Sequence, residues 1–269
     1  MNLDLKNQTA VIIGAAQGIG LAIAEAFARE SANVVLIDLK TDVVETATRV
    51  ACETGVKALG IQADASKYAD MQAVASNVLQ TFGSYQHVVM AAGVGSGKFG
   101  FPFWNLEPSD WPRVFQVNVF GAVNVAHAFT PTLVTQRAGT IQFIASVAGQ
   151  IGSQSDPPYS ASKAALINFS QCAAKDLAPH NVRVNTICPG MVRTELSENM
   201  FNSWLASQPD SPAITFDEWA ESKIKNVVPL GRWQSAEEIA NMCVFLASDA
   251  AANITGQTIN VDGGYVMHW

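Results

Sequence analysis

The stretch Thr9-Ala10-Val11-Ile12-Ile13-Gly14-Ala15-Ala16-Gln17-Gly18-Ile19-Gly20 decides how this chain is read. A short apolar, β-branched run ends in a glycine turn, and a helical pattern follows. Ile19, Ile23, Ala26 and Phe27 fall at the spacing of one helix face over 18–29. Glycines at such a strand–turn–helix junction let the backbone turn tightly and approach a phosphate. The helix N-terminus beyond them offers free N–H groups and a partial positive charge. Taken alone, the glycine spacing also fits a merely structural tight turn.

Working outward, the same alternation repeats. Buried-strand runs are expected at 9–14, 33–38 (NVVLID), 57–63, 87–92 (HVVMAA), 140–145 (TIQFIA), 182–188 (VRVNTIC) and 257–261 (QTINV). Helices are expected at 18–29, 41–52, 67–82, 109–133 with Ser109 as its N-cap, 159–177 ended near Pro179, and 235–247. The last opens with Ser235 three residues before Glu238, a capping-box pattern. Strand–helix alternation of this kind predicts an α/β fold of the doubly wound Rossmann type: a seven-stranded parallel sheet with helices on both faces. One domain is expected across 1–269. Residues 191–231 break the alternation and hold Pro209, Pro212, Pro229, Phe201, Trp204, Phe216 and Trp219, which reads as a substrate lid or as an extra packing helix pair.

Composition narrows the function. The chain has 269 residues, of which 49% are hydrophobic and 14% charged, too apolar for disorder. Its net charge is −7, and its basic residues are diluted by acids, as Lys223 and Lys225 are by Glu221, so no nucleic-acid partner is expected. Cys52, Cys172, Cys188 and Cys243 form no CxxC pair, and His87, His127, His180 and His268 are scattered; free thiols and no metal site are expected. The first residues lack a signal-peptide pattern, and no window of 18 uncharged apolar residues occurs, so no membrane span and a cytoplasmic location are expected.

Asp38 closes the second strand run, 18 residues after Gly20. An acid there accepts hydrogen bonds from adenosine ribose hydroxyls and repels a 2′-phosphate, which favours NAD over NADP. The bland alternative is a turn residue, and Lys40 softens the preference. Tyr159 and Lys163, four apart, share one face of a predicted helix. Ser146 ends the fifth strand run 13 residues earlier, and Asn118 sits at a poor helix position within 109–133.

With the glycine loop, these residues resemble the classical short-chain dehydrogenase/reductase family over about residues 5–266. The motifs occur in order: 14–20, Asp64, Ala92-Gly93, Asn118, Ser146 with Tyr159 and Lys163, Pro189-Gly190, and the ending Gly256-Gln257 through Val261-Asp262-Gly263-Gly264. The resemblance implies that Tyr159 is the general acid/base on the substrate oxygen and that Ser146 hydrogen-bonds the same oxygen. Lys163 would bind the nicotinamide ribose, and Asn118 would fix a water linking Lys163 to solvent. A free phenol titrates near ~10, and a nearby ammonium lowers it. The cofactor contacts implied are Gly14, Gln17, Gly18, Ile19, Gly20, Asp38, Leu39, Asp64, Ala65, Ala92, Gly93, Tyr159, Lys163, Pro189, Gly190, Val192 and Thr194. Ile13 and Ala91 depart from the family's usual Thr and Asn, each removing a side-chain hydrogen bond worth about 1 kcal/mol.

The aromatic loop 95–104 belongs beside the cleft. Ser146, Gln150, Ser153, Tyr159, Met191 and Trp104, with the lid residues Trp204 and Trp219, are expected to line a partly apolar pocket. Arg193, if it faces that pocket, suits a sugar acid; Lys98 and the C-terminal carboxylate are other charged candidates. Trp269 is expected to pack at a subunit interface, because family members are often homotetramers. The expected reaction is NAD-dependent interconversion of a secondary alcohol and ketone on a small polar molecule such as a polyol, sugar acid or cyclic alcohol. The alternatives are an NADPH-dependent 3-oxoacyl-type ketoreductase and a catalytically silent dinucleotide-binding scaffold.

Overall fold

The computed structural model describes residues 3–208 and 214–267. Its strands are β1 (Thr9–Ile13), β2 (Asn33–Asp38), β3 (Ala58–Gln62), β4 (His87–Met90), β5 (Gly139–Ile144), β6 (Val182–Pro189) and β7 (Thr258–Val261). All pair in parallel in the order β3-β2-β1-β4-β5-β6-β7. The seven runs expected from the sequence are these strands, with ends moved by one or two residues. Gly14, for example, leaves β1 at φ 87° and belongs to the turn.

Each central strand is apolar on both faces because helices cover both. Along β1, Ala10 and Ile12 face one layer and Val11 and Ile13 the other. The first layer holds α1 (Gly18–Arg29), α2 (Val43–Thr54) and α9 (Ala236–Ala247), with Phe27, Ile23 and Val244 in its core. The second holds α3 (Tyr68–Phe82), α5 (Gly121–Gln136) and α6 (Pro157–Leu177), with Met71, Phe129 and Leu166 in its core. Ile13 is buried there, and Ala91 N donates to its carbonyl at 2.8 Å, so backbone pairing joins β1 to the end of β4 although neither residue has a polar side chain.

The helix expected at 109–133 differs in detail. It opens as a 3₁₀ turn, Pro108–Asp110, capped by Glu107 and Asp110 rather than by Ser109. α4 (Trp111–Phe115) follows, then a π-helical turn, Gln116–Phe120, and α5. By length and composition alone this run, Pro108–Gln136, is long and apolar enough to cross a membrane, as the core helix of a folded domain also is. Its apolar face is occupied instead, with Val114, Val117, Val125, Phe129 and Leu133 buried. α6 starts two residues before its expected first residue, because Asp156 caps it and Pro157 is pre-set for the first turn.

Beyond β6, α7 (Glu195–Ala206) and α8 (Phe216–Val227) each begin with a capping box. Phe201, Trp204, Phe216, Trp219 and Trp233 form a separate aromatic cluster, so the excursion has its own small core. Pro209, Pro212, His268 and Trp269 lie outside the described residues.

The chain crosses from one face to the other between β1 and β4, which opens a crevice at their C-terminal ends. The crevice floor is bare backbone. A Cβ on Gly14 would sit 2.5 Å from Ala92 N, and one on Gly20 1.9 Å from Gly14 O. Gly20→Ala is therefore expected to push α1 off the turn and lower stability by about 1–3 kcal/mol. Calorimetry and dinucleotide titration check this; an unchanged Tm would contradict so close a fit.

Candidate active site

Four elements converge at the C-terminal edge of β4 and β5. The π turn widens the helical run at Asn118, whose side chain is fully buried. Asn118 Oδ1 accepts Val94 N at 2.8 Å, and its Nδ2 donates to Val94 O and to Ser162 Oγ, both at 2.9 Å. An asparagine at this position bridges the strand-end loop to α6. Lys163 on α6 is 2% exposed, and its Nζ donates to Ile144 O at 2.8 Å. Tyr159, one turn earlier, has its ring centroid 5.5 Å from that ammonium.

Ser146 caps a 3₁₀ turn, Val147–Gly149, that lies flush against α6. A Cβ on Gly149 would be 2.7 Å from the Lys163 carbonyl carbon, and Ser160 Oγ donates to Ala148 O at 2.5 Å. This contact brings Ser146 into hydrogen-bond reach of Tyr159. Burial pushes the Tyr159 phenol up to about 12; the Ser146 hydrogen bond opposes the rise, and the Asp156 charge adds to it. The net shift of the phenol is therefore upward, and burial is its main cause. Burial also pushes Lys163 down to about 8. Cys188 on β6 lies beneath the site as a neutral thiol, raised to about 12 by burial.

The dinucleotide side of the crevice is built of close-packed backbone and a few fixed polar groups. α1 has no side-chain cap at Gln17 and no acid in its first turn, so its N-terminal N–H groups point to the crevice without a side-chain partner. Gly14 and Gly20 leave the cradle described above. A Cβ on Gly93 would be 3.0 Å from Lys163 Nζ. Asp38 accepts Ala16 N and Lys40 N, each at 3.0 Å, which fixes its carboxylate beside the glycine loop. Leu39 is exposed next to it. Asp64 accepts Ser66 N and Oγ, which holds its carboxyl below the usual range, and Ala65 O accepts Asn124 Nδ2. Pro189 pairs with Val261, and a Cβ on Gly190 would meet Asp262 at 2.7 Å. Val192 bridges to Gln234, and Thr194 caps α7 with a methyl 3.9 Å from a Cβ on Gly18. Ile19 is half-buried at the helix start. The residues present fit a dinucleotide.

The substrate side departs further from expectation. Arg193 does not stand free in a pocket. It pairs with Asp217 at 2.9 Å and lies over Phe216, both within the excursion after β6. Lys98 is likewise paired with Asp110. Trp104 is 69% exposed and meets Phe103 edge-on, so it forms no buried wall. Gln150 exchanges two hydrogen bonds with Asn260, at 2.7 and 3.0 Å, which ties the Ser146 turn to β7. Met191 is half-buried, and its carbonyl accepts Gln234 N. Trp219 is buried in the small core of that excursion.

Two side chains that the sequence reading passed over matter here. Asp156 accepts Ser96 N at 2.8 Å and Tyr159 N at 3.3 Å, pinning the loop after β4 to the start of α6. Its position before Pro157-Pro158 was a legible cap signal. Ser162 joins Asn118 to α6 and had no separate signal.

This geometry agrees with comparisons to known proteins. A family model described as enoyl-(acyl carrier protein) reductase matches residues 14–266. A 2-(S)-hydroxypropyl-CoM dehydrogenase from Xanthobacter autotrophicus is 36% identical, covering 98% of both chains. A 3-oxoacyl-(acyl-carrier-protein) reductase from Chlamydia muridarum is 32% identical, over 98% of this chain and 99% of its own. Among solved structures, L-sorbose reductase from Gluconobacter frateurii, complexed with NADPH and L-sorbose, superposes with a TM-score of 0.90 at 30% identity over the whole of both chains. The chain belongs to the short-chain dehydrogenase/reductase family of oxidoreductases.

Two outcomes follow from the electrostatics. Below about pH 8 Lys163 carries its charge in both the folded and unfolded states, and its burial cost is fully felt. Between about 8 and 10.5 the unfolded chain binds more protons, so this group makes stability rise with pH. Lys163→Met is expected to be at least as stable as the parent at neutral pH and to lack that rise, as read by denaturant titration across the window. A marked loss of stability at neutral pH would show that the Ile144 bond outweighs desolvation. Asp156→Asn removes a charge that raises Tyr159, so the tyrosine limb of the pH–rate profile is expected to move to lower pH; a limb that stays in place contradicts the coupling.

Proposed function

We propose that this protein is an NAD-dependent dehydrogenase that interconverts a secondary alcohol and its ketone on a small polar molecule, such as a polyol, sugar acid or cyclic alcohol. The observation that carries the reading is the convergence of Tyr159, Ser146 and the buried Lys163 ammonium beside Gly93. In the reduction direction, the Tyr159 hydroxyl donates its proton to the substrate oxygen as charge develops there. In the oxidation direction it receives that proton. Ser146 holds the same oxygen through both steps. Lys163 holds positive charge one turn away and would bind a ribose of the dinucleotide, and Asn118 maintains the loop and α6 around it. The dinucleotide, when bound, supplies the hydride acceptor or donor.

Asp38 supports NAD, because its fixed carboxylate suits ribose hydroxyls and repels a 2′-phosphate. The pairing of Arg193 within the lid weakens the case for a sugar acid relative to a neutral polyol or cyclic alcohol. We also take residues 1–269 as one domain with a lid at 191–231, acting as a cytoplasmic homotetramer in carbohydrate metabolism. Exposed Phe120 at the foot of α5 supports helix-to-helix assembly. A second reading, an NADPH-dependent 3-oxoacyl ketoreductase, draws on Lys40 beside Asp38 and on the relatives named above. Turnover with each reduced dinucleotide separates the two.

The direct test is a panel of polyols, sugar acids and cyclic alcohols with NAD⁺, run on the parent and on Tyr159→Phe. The variant is expected to lose about 10²–10⁴-fold in turnover. Its NADH affinity is expected to stay within about twofold, because the phenol hydroxyl serves the substrate and about 0.4 kcal/mol is within ordinary variation. Equal turnover in the variant removes the mechanism.

A further inference from the structure

One cluster of charges is left unused by the catalytic site. Glu195, the first residue of α7, receives hydrogen bonds from the Gln17 side-chain amide and from Lys40 Nζ at 3.1 Å. Lys40 Nζ also donates to Gln17 Oε1 at 2.7 Å. These three residues come from the lid, the glycine loop and the end of β2. They close a ring across the crevice directly above Asp38, whose carboxylate is held by Ala16 N and Lys40 N. The contacts hold the Glu195 carboxyl below its usual range.

We propose that Glu195 determines cofactor specificity by sequestering Lys40. The argument rests on the NAD reading above and extends it. Asp38 alone gives only repulsion against a 2′-phosphate. An ammonium two residues away would offset that repulsion if its donors were free to turn toward the phosphate. In this structure the ammonium is turned toward the lid and the glycine loop, and its charge is balanced by Glu195. Asp38 thus disfavours the phosphorylated ribose, and Glu195 withholds the cation that would rescue it. The lid thereby acts on the adenosine end of the crevice, far along the sheet edge from Tyr159.

The test compares NADH and NADPH affinity by fluorescence titration in the parent, Glu195→Ala, Glu195→Gln and the double variant Glu195→Ala/Lys40→Met. All three substitutions are at exposed side chains. The parent is expected to bind NADH more tightly. Both single variants are expected to shift the NADPH-to-NADH affinity ratio about fivefold toward NADPH, the upper range for an exposed ion pair. The double variant is expected to lose that gain, and higher salt to shrink it. An unchanged ratio in both single variants overturns the proposal, as does equal weakening of both dinucleotides, which marks Glu195 as a lid clasp only. A gain that persists without Lys40 also overturns it, because general charge removal then suffices. A parent that prefers NADPH overturns the NAD reading itself and with it this extension, a result visible before any variant is made.

Discussion

The site depends on keeping one ammonium out of water. Lys163 sits at 2% exposure, and its Nζ donates to the Ile144 carbonyl at 2.8 Å. A charge so placed costs folding free energy, and nothing among the described residues neutralises it as an ion pair. The surrounding structure makes sense as support for that cost. The π turn aims Asn118 at the loop and at Ser162, the 3₁₀ turn presses Ser146 against α6, and Gly93 leaves room beside Nζ. Each device rigidifies the walls around the charge and leaves its remaining donors to face the crevice.

The same burial raises Tyr159, so the protein alone holds a neutral phenol near an ammonium, the wrong pair for a ready base and the right pair for a proton donor. The two shifts share a cause: low dielectric penalises phenolate and ammonium alike. Whatever positive charge enters the crevice then acts on the phenol with little screening. The low-dielectric walls therefore make Tyr159 sensitive to what is bound, and Asp156, on the far side, sets how far that sensitivity must reach.

Much of this was legible before any coordinates. The strands are apolar runs bounded by glycine, proline or acid, and a sheet covered on both faces reads as such runs; β1 and β4 were therefore plain. The glycine loop, Tyr159 with Lys163, and Ser146 were legible together, through the family resemblance that their ordered motifs carry and not through any one spacing. Other features depend on long-range contact and have no local signature. The 3₁₀ opening at Pro108 depends on a Glu107–Asp110 exchange that competes with the Ser109 cap. Arg193 looked like a free cation because Asp217, its partner, is 24 residues away. Gln150 looked like a substrate hook because Asn260 is 110 residues away. Exposed Trp104 shows the converse: aromatic content in a loop does not say which way the loop faces.

The crevice is asymmetric in a way that bears on how such an enzyme is tuned. At the Tyr159 end the charges are buried and few, so salt in the medium reaches them weakly. At the Asp38 end the charges of Lys40, Glu195 and Asp38 lie in or near solvent, where the Debye length at physiological ionic strength is about 8 Å. The two ends of one groove thus lie in two different dielectric regimes. Changes at the exposed end trade small, screened energies and leave the fold intact. Changes at the buried end touch Lys163 or its supports and disturb the whole site. A substitution at the exposed rim, at Lys40 or Glu195, therefore leaves the sheet and its buried ammonium as they are, whereas one at Lys163 does not.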